Sequence, residues 1–393
     1  MQSSILAAFL LLFVVTSAFY LDAKSPRRII GKKHQRTAAE LKAYHQQRRA
    51  KAEAEGKNYI PNYPNDLLFT EITIGNTGLQ YYVALETGSD SLWVIDSSYP
   101  NVKPDVATFN PNNRNSTAVA AGDFHKTSEN YNVDGKAYTD TITYLAPIKQ
   151  TFGSVTAFKY SWDNPEFDSL SGAFGLAWDP NKKSEKLTEN SAPILNLLSI
   201  YSDSPRMFSL VTWHNETDGT FLTAAFIIGD NLNAYCNRKP VIVAPLSYND
   251  NTNQLSFSLD SFAFDNQKID GDLAKVDSGS SLIYVPAKAF DILYSSIQPD
   301  FNYDLGFYTV PCSKRGELED LVFTIGGAEL RVPSTNYVID LKVGGGQCVL
   351  AILLSNTYNT PYALGLTFMY NNFGVEWSID DTTITFKTCF AKP

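Results

Sequence analysis

The chain has 393 residues, which is too long for one ordinary domain and fits two lobes of roughly 150 to 200 residues, each able to bury a core. Its formal net charge is −9. Its one basic stretch follows an N-terminal segment with the features of a signal peptide, described below, so a nucleic-acid-binding protein is not expected. No later stretch approaches about 20 continuous apolar residues, so we also expect no membrane anchor.

The first 18 residues, MQSSILAAFLLLFVVTSA, are typical of a signal peptide. Their apolar run extends from Ile5 to Val15 and ends in small residues, which indicates a short cleavable segment rather than a bilayer span. We therefore expect residues 1–18 to be removed and the protein to be secreted or lumenal, in an extracellular, lysosomal or gut-lumen setting.

A basic segment follows the leader. Residues 19–57 contain eleven Lys or Arg and four Asp or Glu, whereas the rest of the chain contains 21 basic and 37 acidic residues. One interpretation is a disordered basic tail. The alternative is a pro-segment whose cations lie over an acidic cleft, and the charge asymmetry favours it. We take residues 19–62 as this pro-segment.

From Leu67 onward the sequence alternates short apolar or aromatic runs with Asn, Asp, Gly and Pro clusters, a pattern that predicts strands. The clearest runs are LLFTEITIG, LQYYVALE, FGSVTAFKY, QLSFSLDSFAF and TTITFKTCF. Helices are expected only in short segments, for example 192–202 and 286–297, where a Ser or Pro precedes apolar residues at helical spacing. The sequence therefore predicts an all-β protein with a few short helices.

An internal repeat divides the mature chain. Glu86 opens the tetrapeptide E-T-G-S, and 89 residues later two apolar residues precede Gly175. Asp277 opens D-S-G-S, and 88 residues later two apolar residues precede Gly365. Two such pairs at nearly equal offsets indicate a tandem duplication. We predict two β lobes with pseudo-twofold symmetry, residues 63–233 and 234–393.

Pseudo-twofold symmetry would bring the two tetrapeptides face to face, so Glu86 and Asp277 are expected to meet between the lobes. Two adjacent carboxylates cannot both ionise freely, and they share a proton that one can donate while the other accepts. Neighbouring glycines permit close approach, and hydroxyls can hydrogen-bond the carboxylates and backbone. These residues are Thr87, Gly88, Ser89, Ser278, Gly279 and Ser280.

Cysteines and histidines give little support for a metal centre. None of the four cysteines lies in a C-x-x-C pair, so two disulfides fit better, with three pairings open. Only His125 and His214 lie outside the basic segment. We expect neither a metal nor a cofactor. Asn115 and Asn215 stand in N-x-[ST] sequences and are candidate glycosylation sites.

Six motifs resemble those of the pepsin-like aspartic proteases, peptidase family A1, over the range from Phe69 to Phe386. They are FTEITIG, LETGSDSLWVI, FNPNNRNST, SGAFGLAW, VDSGSSLIYVP and ALGLTF. The resemblance implies a monomeric bilobal β protein whose deep cleft binds a peptide or protein substrate. It also implies a dyad-activated water that attacks the peptide carbonyl without a covalent intermediate, and a basic segment that acts as an inhibitory propeptide.

The same resemblance implies a role for each matching residue. Glu86 and Asp277 take the dyad positions, with Thr87 and Ser278 as hydroxyls that cross between the loops. The remaining implied positions are Ser89 and Ser280 as outer partners of the carboxylates, Trp93 behind the flap, Tyr131 as the flap tyrosine, and the disulfides Cys312–Cys348 and Cys236–Cys389.

The chain departs from the family pattern at four places. The first dyad residue is Glu rather than Asp, and the interval from Tyr131 to Asp140 is about three residues shorter than usual. Leu366 replaces an acid, and the usual N-lobe cysteine pair is missing. The Glu side chain extends its carboxylate by about 1.5 Å, one carbon–carbon bond. Because misplacement by ~1 Å can cost about 10²-fold in rate, we expect a weakened site.

Two functions remain open at this stage. The first is a secreted aspartic endopeptidase of reduced activity that cuts between apolar residues. The second is a catalytically inactive pseudoprotease that binds peptides in the same cleft. The retained carboxylates, hydroxyls and pro-segment favour the enzyme, whereas Glu86, the short flap and Leu366 favour the binding protein. A serine hydrolase is not supported, because the chain lacks a G-x-S-x-G motif.

Overall fold

The structure is a computed structural model, and it describes most of the chain after residue 67. The described residues are 29–30, 68–100, 102, 106–127, 132–159, 170–201, 203–214, 216–217, 221–229, 232–249, 253–355, 360–370 and 372–390. The predicted signal peptide, nearly all of the predicted pro-segment, Tyr131 and Asn215 lie outside these residues. Ile29–Ile30, which we call β1, is the one part of the pro-segment that is described.

Seven strands from the first half of the chain form one sheet in the order β2-β3-β8-β4-β7-β6-β5. They are β2 (Phe69–Ile74), β3 (Gln80–Glu86), β4 (Leu92–Ile95), β5 (Val119–Thr127), β6 (Asn132–Thr143), β7 (Pro147–Lys159) and β8 (Gly172–Gly175). In β2 every second side chain is buried, beginning with Thr70, as its alternating sequence predicts. This seven-stranded sheet carries Glu86 at the end of β3.

A six-stranded sheet combines both halves of the chain, in the order β1-β10-β9-β26-β27-β11. Besides β1 it contains β9 (Met207–His214), β10 (Phe221–Ile228), β11 (Ile242–Pro245), β26 (Phe373–Ser378) and β27 (Thr383–Thr388). The junction is the antiparallel pair β9–β26, where Phe208 lies opposite Trp377 and the two rings stack at 5.0 Å. Aromatic packing therefore contributes to joining the two halves of the chain.

Three further sheets come from the second half of the chain. The first contains β12 (Ser247–Asn249), β13 (Gln254–Ser258), β16 (Leu273–Val276), β17 (Ile283–Val285), β24 (Ile352–Leu354) and β25 (Tyr362–Leu364). The second contains β14 (Ser261–Phe264), β15 (Gln267–Asp270), β20 (Leu321–Ile325) and β21 (Ala328–Val332). The third contains β18 (Asp300–Asn302), β19 (Phe307–Pro311), β22 (Val338–Ile339) and β23 (Gln347–Leu350).

Helices are few and short in the described part of the chain. They are α1 (Pro193–Ser199), α2 (Ala287–Ile297), α3 (Ser334–Tyr337) and α4 (Leu366–Met369), with single 3-10 turns at Leu232–Ala234 and Cys312–Lys314. α1 and α2 lie within the two predicted helical segments. α1 begins at a proline, whose missing N–H costs nothing in a first turn. The expected all-β class with a few short helices is confirmed.

Candidate active site

The two acidic loops leave their sheets in the same way. β3 runs parallel to β8, with Leu85 beside Phe174, and it ends at Glu86. β16 runs parallel to β25, with Val276 beside Leu364, and the next residue is Asp277. In each half a further strand, β4 or β17, pairs antiparallel with β8 or β25. Both carboxylates therefore project from equivalent positions of equivalent strand triplets.

A glycine in each triplet lets the loop lie directly on the neighbouring strand. A Cβ on Gly175 would lie 2.5 Å from the carbonyl oxygen of Ser89, and one on Gly365 would lie 2.5 Å from that of Ser280. The amide of Leu366 donates to the same Ser280 oxygen at 2.8 Å. Contacts this close exclude any side chain. The apolar-apolar-Gly elements of the sequence repeat thus hold the two acidic loops against their sheets.

Thr87 and Ser278 cross between the loops. The Thr87 amide donates to Ser278 Oγ at 3.0 Å, and the Ser278 amide donates to Thr87 Oγ1 at 2.9 Å. Each hydroxyl then donates onward, Thr87 Oγ1 to the Val276 carbonyl at 2.8 Å and Ser278 Oγ to the Leu85 carbonyl at 2.7 Å. All four bonds are buried, so they fix the spacing of the two loops without solvent competition.

The carboxyl groups of Glu86 and Asp277 both lie beside Gly279. A Cβ on Gly279 would lie 3.2 Å from Asp277 Oδ1 and 3.7 Å from Glu86 Cδ. A Cβ on Gly88 would lie 3.4 Å from Asp277 Oδ1. The exposed fractions of Glu86 and Asp277 are only 9% and 4%. The two glycines therefore leave room for two buried carboxyl groups that were expected to meet.

Lys275 is a site residue that the sequence analysis missed. Its Nζ lies 3.2 Å from Asp277 Oδ2 and donates to Gln254 Oε1 at 3.2 Å, and only 3% of the residue is exposed. Strand periodicity places Lys275 and Asp277 on one side of the chain, two residues apart. A lysine in a buried strand next to a predicted dyad residue was the available signal. Its counterpart before Glu86 is Ala84.

The other expected site residues are placed as follows. Ser89 Oγ accepts from the Ser91 amide at 3.4 Å, and Ser280 Oγ donates to the Leu282 carbonyl at 3.4 Å. These bonds are with backbone atoms, so the role of both serines as carboxylate partners stays a prediction. Trp93 is fully buried on β4 and meets Phe158 edge to face at 5.5 Å.

The hairpin of β5 and β6 occupies the region expected to form the flap. Its strands pair from Val119 opposite Thr139 to Thr127 opposite Asn132, and the intervening residues, which include Tyr131, lie outside the described part of the chain. At the end of β5, Lys126 forms an ion pair with Asp90, which directly follows Ser89. The hairpin is thereby tied to the Glu86 loop.

Both disulfides join the residues that the resemblance implies, Cys236 with Cys389 and Cys312 with Cys348. Among the described residues, one group of metal-ligating types lies together, namely Cys312, Asp340 and Cys348. Since its two sulfurs are bonded to each other, it offers no thiolate ligand. Asn115 is exposed in a turn, as a glycosylation site would need to be.

The chain belongs to the eukaryotic aspartyl protease family, whose model matches residues 68–389. This membership confirms the class of an aspartic-type endopeptidase of peptidase family A1 and the pepsin-like fold. Among its relatives, Aspartic protease 1 of Caenorhabditis elegans is 27% identical over 366 residues, covering 88% of each chain. Aspartic protease 17 of Caenorhabditis elegans is 24% identical, covering 79% of this chain and 80% of the relative. Pepsin A of Sus scrofa is 26% identical, covering 72% and 71%.

Within the described residues, no helix is both long and apolar enough to cross a membrane.

Proposed function

We propose that this chain hydrolyses peptide bonds with a dyad formed by Glu86 and Asp277, so that Glu stands where the family has its first catalytic Asp. The observation that carries the proposal is the placement of two buried carboxyl groups beside Gly279 by loops that Thr87 and Ser278 hold together. A carboxylate with an adjacent carboxylic acid is the acid–base pair that water needs to attack a carbonyl. Neither the fold nor the relatives favour the inactive pseudoprotease.

In this mechanism one carboxylate accepts a proton from the attacking water while the other carboxyl donates its proton to the carbonyl oxygen. The product is a tetrahedral diol, with no covalent bond to the enzyme. The proton taken from water then passes to the amide nitrogen as the carbon–nitrogen bond breaks. A peptide or protein chain bound between the lobes is the substrate, and we expect cleavage between apolar residues.

Glu86 sets the rate in this proposal. Its longer side chain must either push the carboxylate past the position that Asp would give it or fold back to reach that position. Sites of this kind need geometry held to about 0.5 Å, and enzymatic accelerations of 10⁶-fold or more leave room for a loss of about 10² to 10⁴. We therefore propose a working protease of reduced activity.

Residues 19–62 serve as an inhibitory pro-segment in this proposal. Two observations support it: eleven cations in residues 19–57, and strand β1, whose Ile29 and Ile30 lie opposite Phe226 and Ala225 of β10. Acid would weaken such a segment by protonating its carboxylate partners. The relatives include a pepsin and vacuolar proteases, which supports a secreted or lumenal location. Residues 1–18 as the leader and a monomeric mature protein are further parts of the proposal.

The test is a hydrolysis assay on the full chain, expressed in a secretory eukaryotic host and purified as secreted. After incubation in acid it should cleave a denatured protein substrate, and the new termini should map between apolar residues. Absence of cleavage at every pH from 2 to 7, together with measurable binding of the same peptides, would instead establish the peptide-binding pseudoprotease.

A further inference from the structure

Lys275 places a positive charge inside the carboxylate site. Its Nζ lies 3.2 Å from Asp277 Oδ2, and the two side chains are 4% and 6% exposed. Lysine is almost never this buried unless it is paired, because removing an ammonium from water is costly. At this depth the attraction between the two charges is weakly screened by salt.

The ion pair and the hydrogen bond of Asp277 point to its ionised form. Oδ2 faces the Lys275 ammonium, and Oδ1 accepts from the Gly279 amide at 3.0 Å. An ionised carboxylate only accepts hydrogen bonds, whereas a protonated one must donate on one oxygen. Donors thus meet both oxygens of Asp277. On the strand that leads to Glu86, Ala84 takes the position equivalent to that of Lys275.

We propose that Lys275 is a positioning residue of the dyad: its ammonium keeps Asp277 as the ionised member, which leaves Glu86 as the member that carries the proton. The inference rests on the proposed function and assigns its two roles. Asp277 takes one proton from water as the water oxygen bonds to the carbonyl carbon. Glu86 gives its proton to the carbonyl oxygen as the carbon–oxygen π bond breaks.

Proton balance follows from this division. When the diol collapses, the proton on Asp277 passes to the leaving nitrogen, and one diol hydroxyl returns a proton to Glu86. The carbon–nitrogen bond breaks, giving a carboxylic acid and an amine. Asp277 is again ionised and Glu86 again protonated, so the ammonium of Lys275 stays charged throughout and no other reactant is consumed.

Few of the other described residues around Asp277 can titrate in acid. Glu86 faces it from the first loop, and Lys275 lies on its own strand. Gln254 on β13 carries no charge. Tyr362 lies on β25, where burial raises its pKa, so its phenol remains neutral throughout the acid range. The pH dependence of kcat/KM should therefore reflect Glu86, Asp277 and Lys275 acting together.

The test compares Lys275→Met with the native secreted chain in kcat/KM from pH 2 to 7. Without the cation both carboxylates bind protons more readily, so the whole profile should move to higher pH by about one unit or more. At the acid limb this corresponds to a loss of about 10-fold. Lys275→Gln keeps a hydrogen-bond donor without the charge and should move the profile in the same direction.

Lys387→Met is the matched control. Lys387 pairs with Glu376 at 3.5 Å on the six-stranded sheet, and this pair is nearly as buried as the Lys275 pair, with side chains 7% and 9% exposed against 4% and 6%. Its loss should lower stability and leave the pH profile in place. A profile of Lys275→Gln that superimposes on the native one, or an equal shift in Lys387→Met, would overturn the proposal.

Binding separates this proposal from the proposed function. A peptide with a hydroxyl in place of the scissile carbonyl imitates the diol and needs no turnover. Its affinity for the native chain and for Lys275→Gln, measured by calorimetry across the same pH range, should show the same upward displacement. If no variant turns over but the affinity profiles differ as expected, hydrolysis fails and the role of Lys275 stands. If the affinity profiles of the native chain and of Lys275→Gln coincide, Lys275 does not have the proposed role, even where turnover is observed.

Discussion

The two acidic loops are alike in backbone and different in chemistry. E-T-G-S and D-S-G-S share their strand pairing, a glycine pressed against the loop, and the crossed hydroxyl bonds. They differ in the length of the acid, Glu86 against Asp277, and in the residue two positions earlier, Ala84 against Lys275. Symmetry thus positions the carboxyl groups, whereas the differences decide which of them holds the proton.

The largest effect is expected when one carboxyl group of the proposed dyad is removed at a time. Asp277→Asn and Glu86→Gln should each lower kcat by about 10³-fold or more, because an amide can neither accept the proton from water nor donate an acidic one. Steady-state kinetics on one fluorogenic peptide gives both values. A variant that keeps native kcat would remove its residue from the dyad.

Glu86→Asp tests the difference in length. The shorter side chain should place its carboxylate at the position equivalent to that of Asp277. We expect kcat/KM to rise by about 10-fold, which corresponds to an activation barrier lower by ~1.4 kcal/mol. The converse change, Asp277→Glu, should lower it. If Glu86→Asp is slower than the native chain, the loops have adjusted to Glu, and the proposal of reduced activity is wrong.

The hydrogen bonds that Thr87 and Ser278 form between the loops test what the two loops have in common. Thr87→Val and Ser278→Ala should each lower the free energy of unfolding by about 1 to 3 kcal/mol, because each leaves buried backbone groups without partners. Urea denaturation at neutral pH measures this change. Ser295→Ala is a control on the exposed side of α2, where the Ser295 hydroxyl donates to the Ile292 carbonyl, and it should stay within about 0.5 kcal/mol. Clearly unequal losses at Thr87 and Ser278 would contradict the twofold equivalence.

A surface pair gives the smallest expected effect and contrasts with the buried Lys275 pair. Desolvation at Asp340 is outweighed by hydrogen bonds from Lys342, so the pKa of this carboxyl is lowered. Such a group stabilises the fold above its unfolded pKa, and the contribution is lost as the pH falls through the folded value. Lys342→Met should therefore cost about 0.2 to 1 kcal/mol at pH 6 and almost nothing at pH 2. An equal cost at both pH values would show that charge is not the cause.

Much of the fold and of the site could be predicted from local pattern. The alternation in β2, the proline at the start of α1 and the two acid–hydroxyl–glycine tetrapeptides each reflect a local constraint. The run QLSFSLDSFAF was less informative, since its single apolar pattern covers two strands, β13 and β14. These strands pair with β16 and β20, which belong to different sheets. That division depends on β16 and β20, which are distant in sequence.

Lys275 was missed for a related reason. The sequence places it in a buried strand, but its meaning depends on two contacts, Asp277 beside it and Gln254 on another strand 21 residues away. Alternation alone could have indicated the first contact. The second requires the pairing of β13 with β16, which no local pattern specifies.

The most direct test of the central claim is the double variant Glu86→Gln/Asp277→Asn, measured for kcat beside the two single variants. If the two carboxyl groups share one proton and act as a unit, removing the second should cost little once the first is gone. The account predicts a double variant no more than about 10-fold slower than Asp277→Asn. Losses that multiply to the full product of the two single effects would show two independent groups and contradict the dyad.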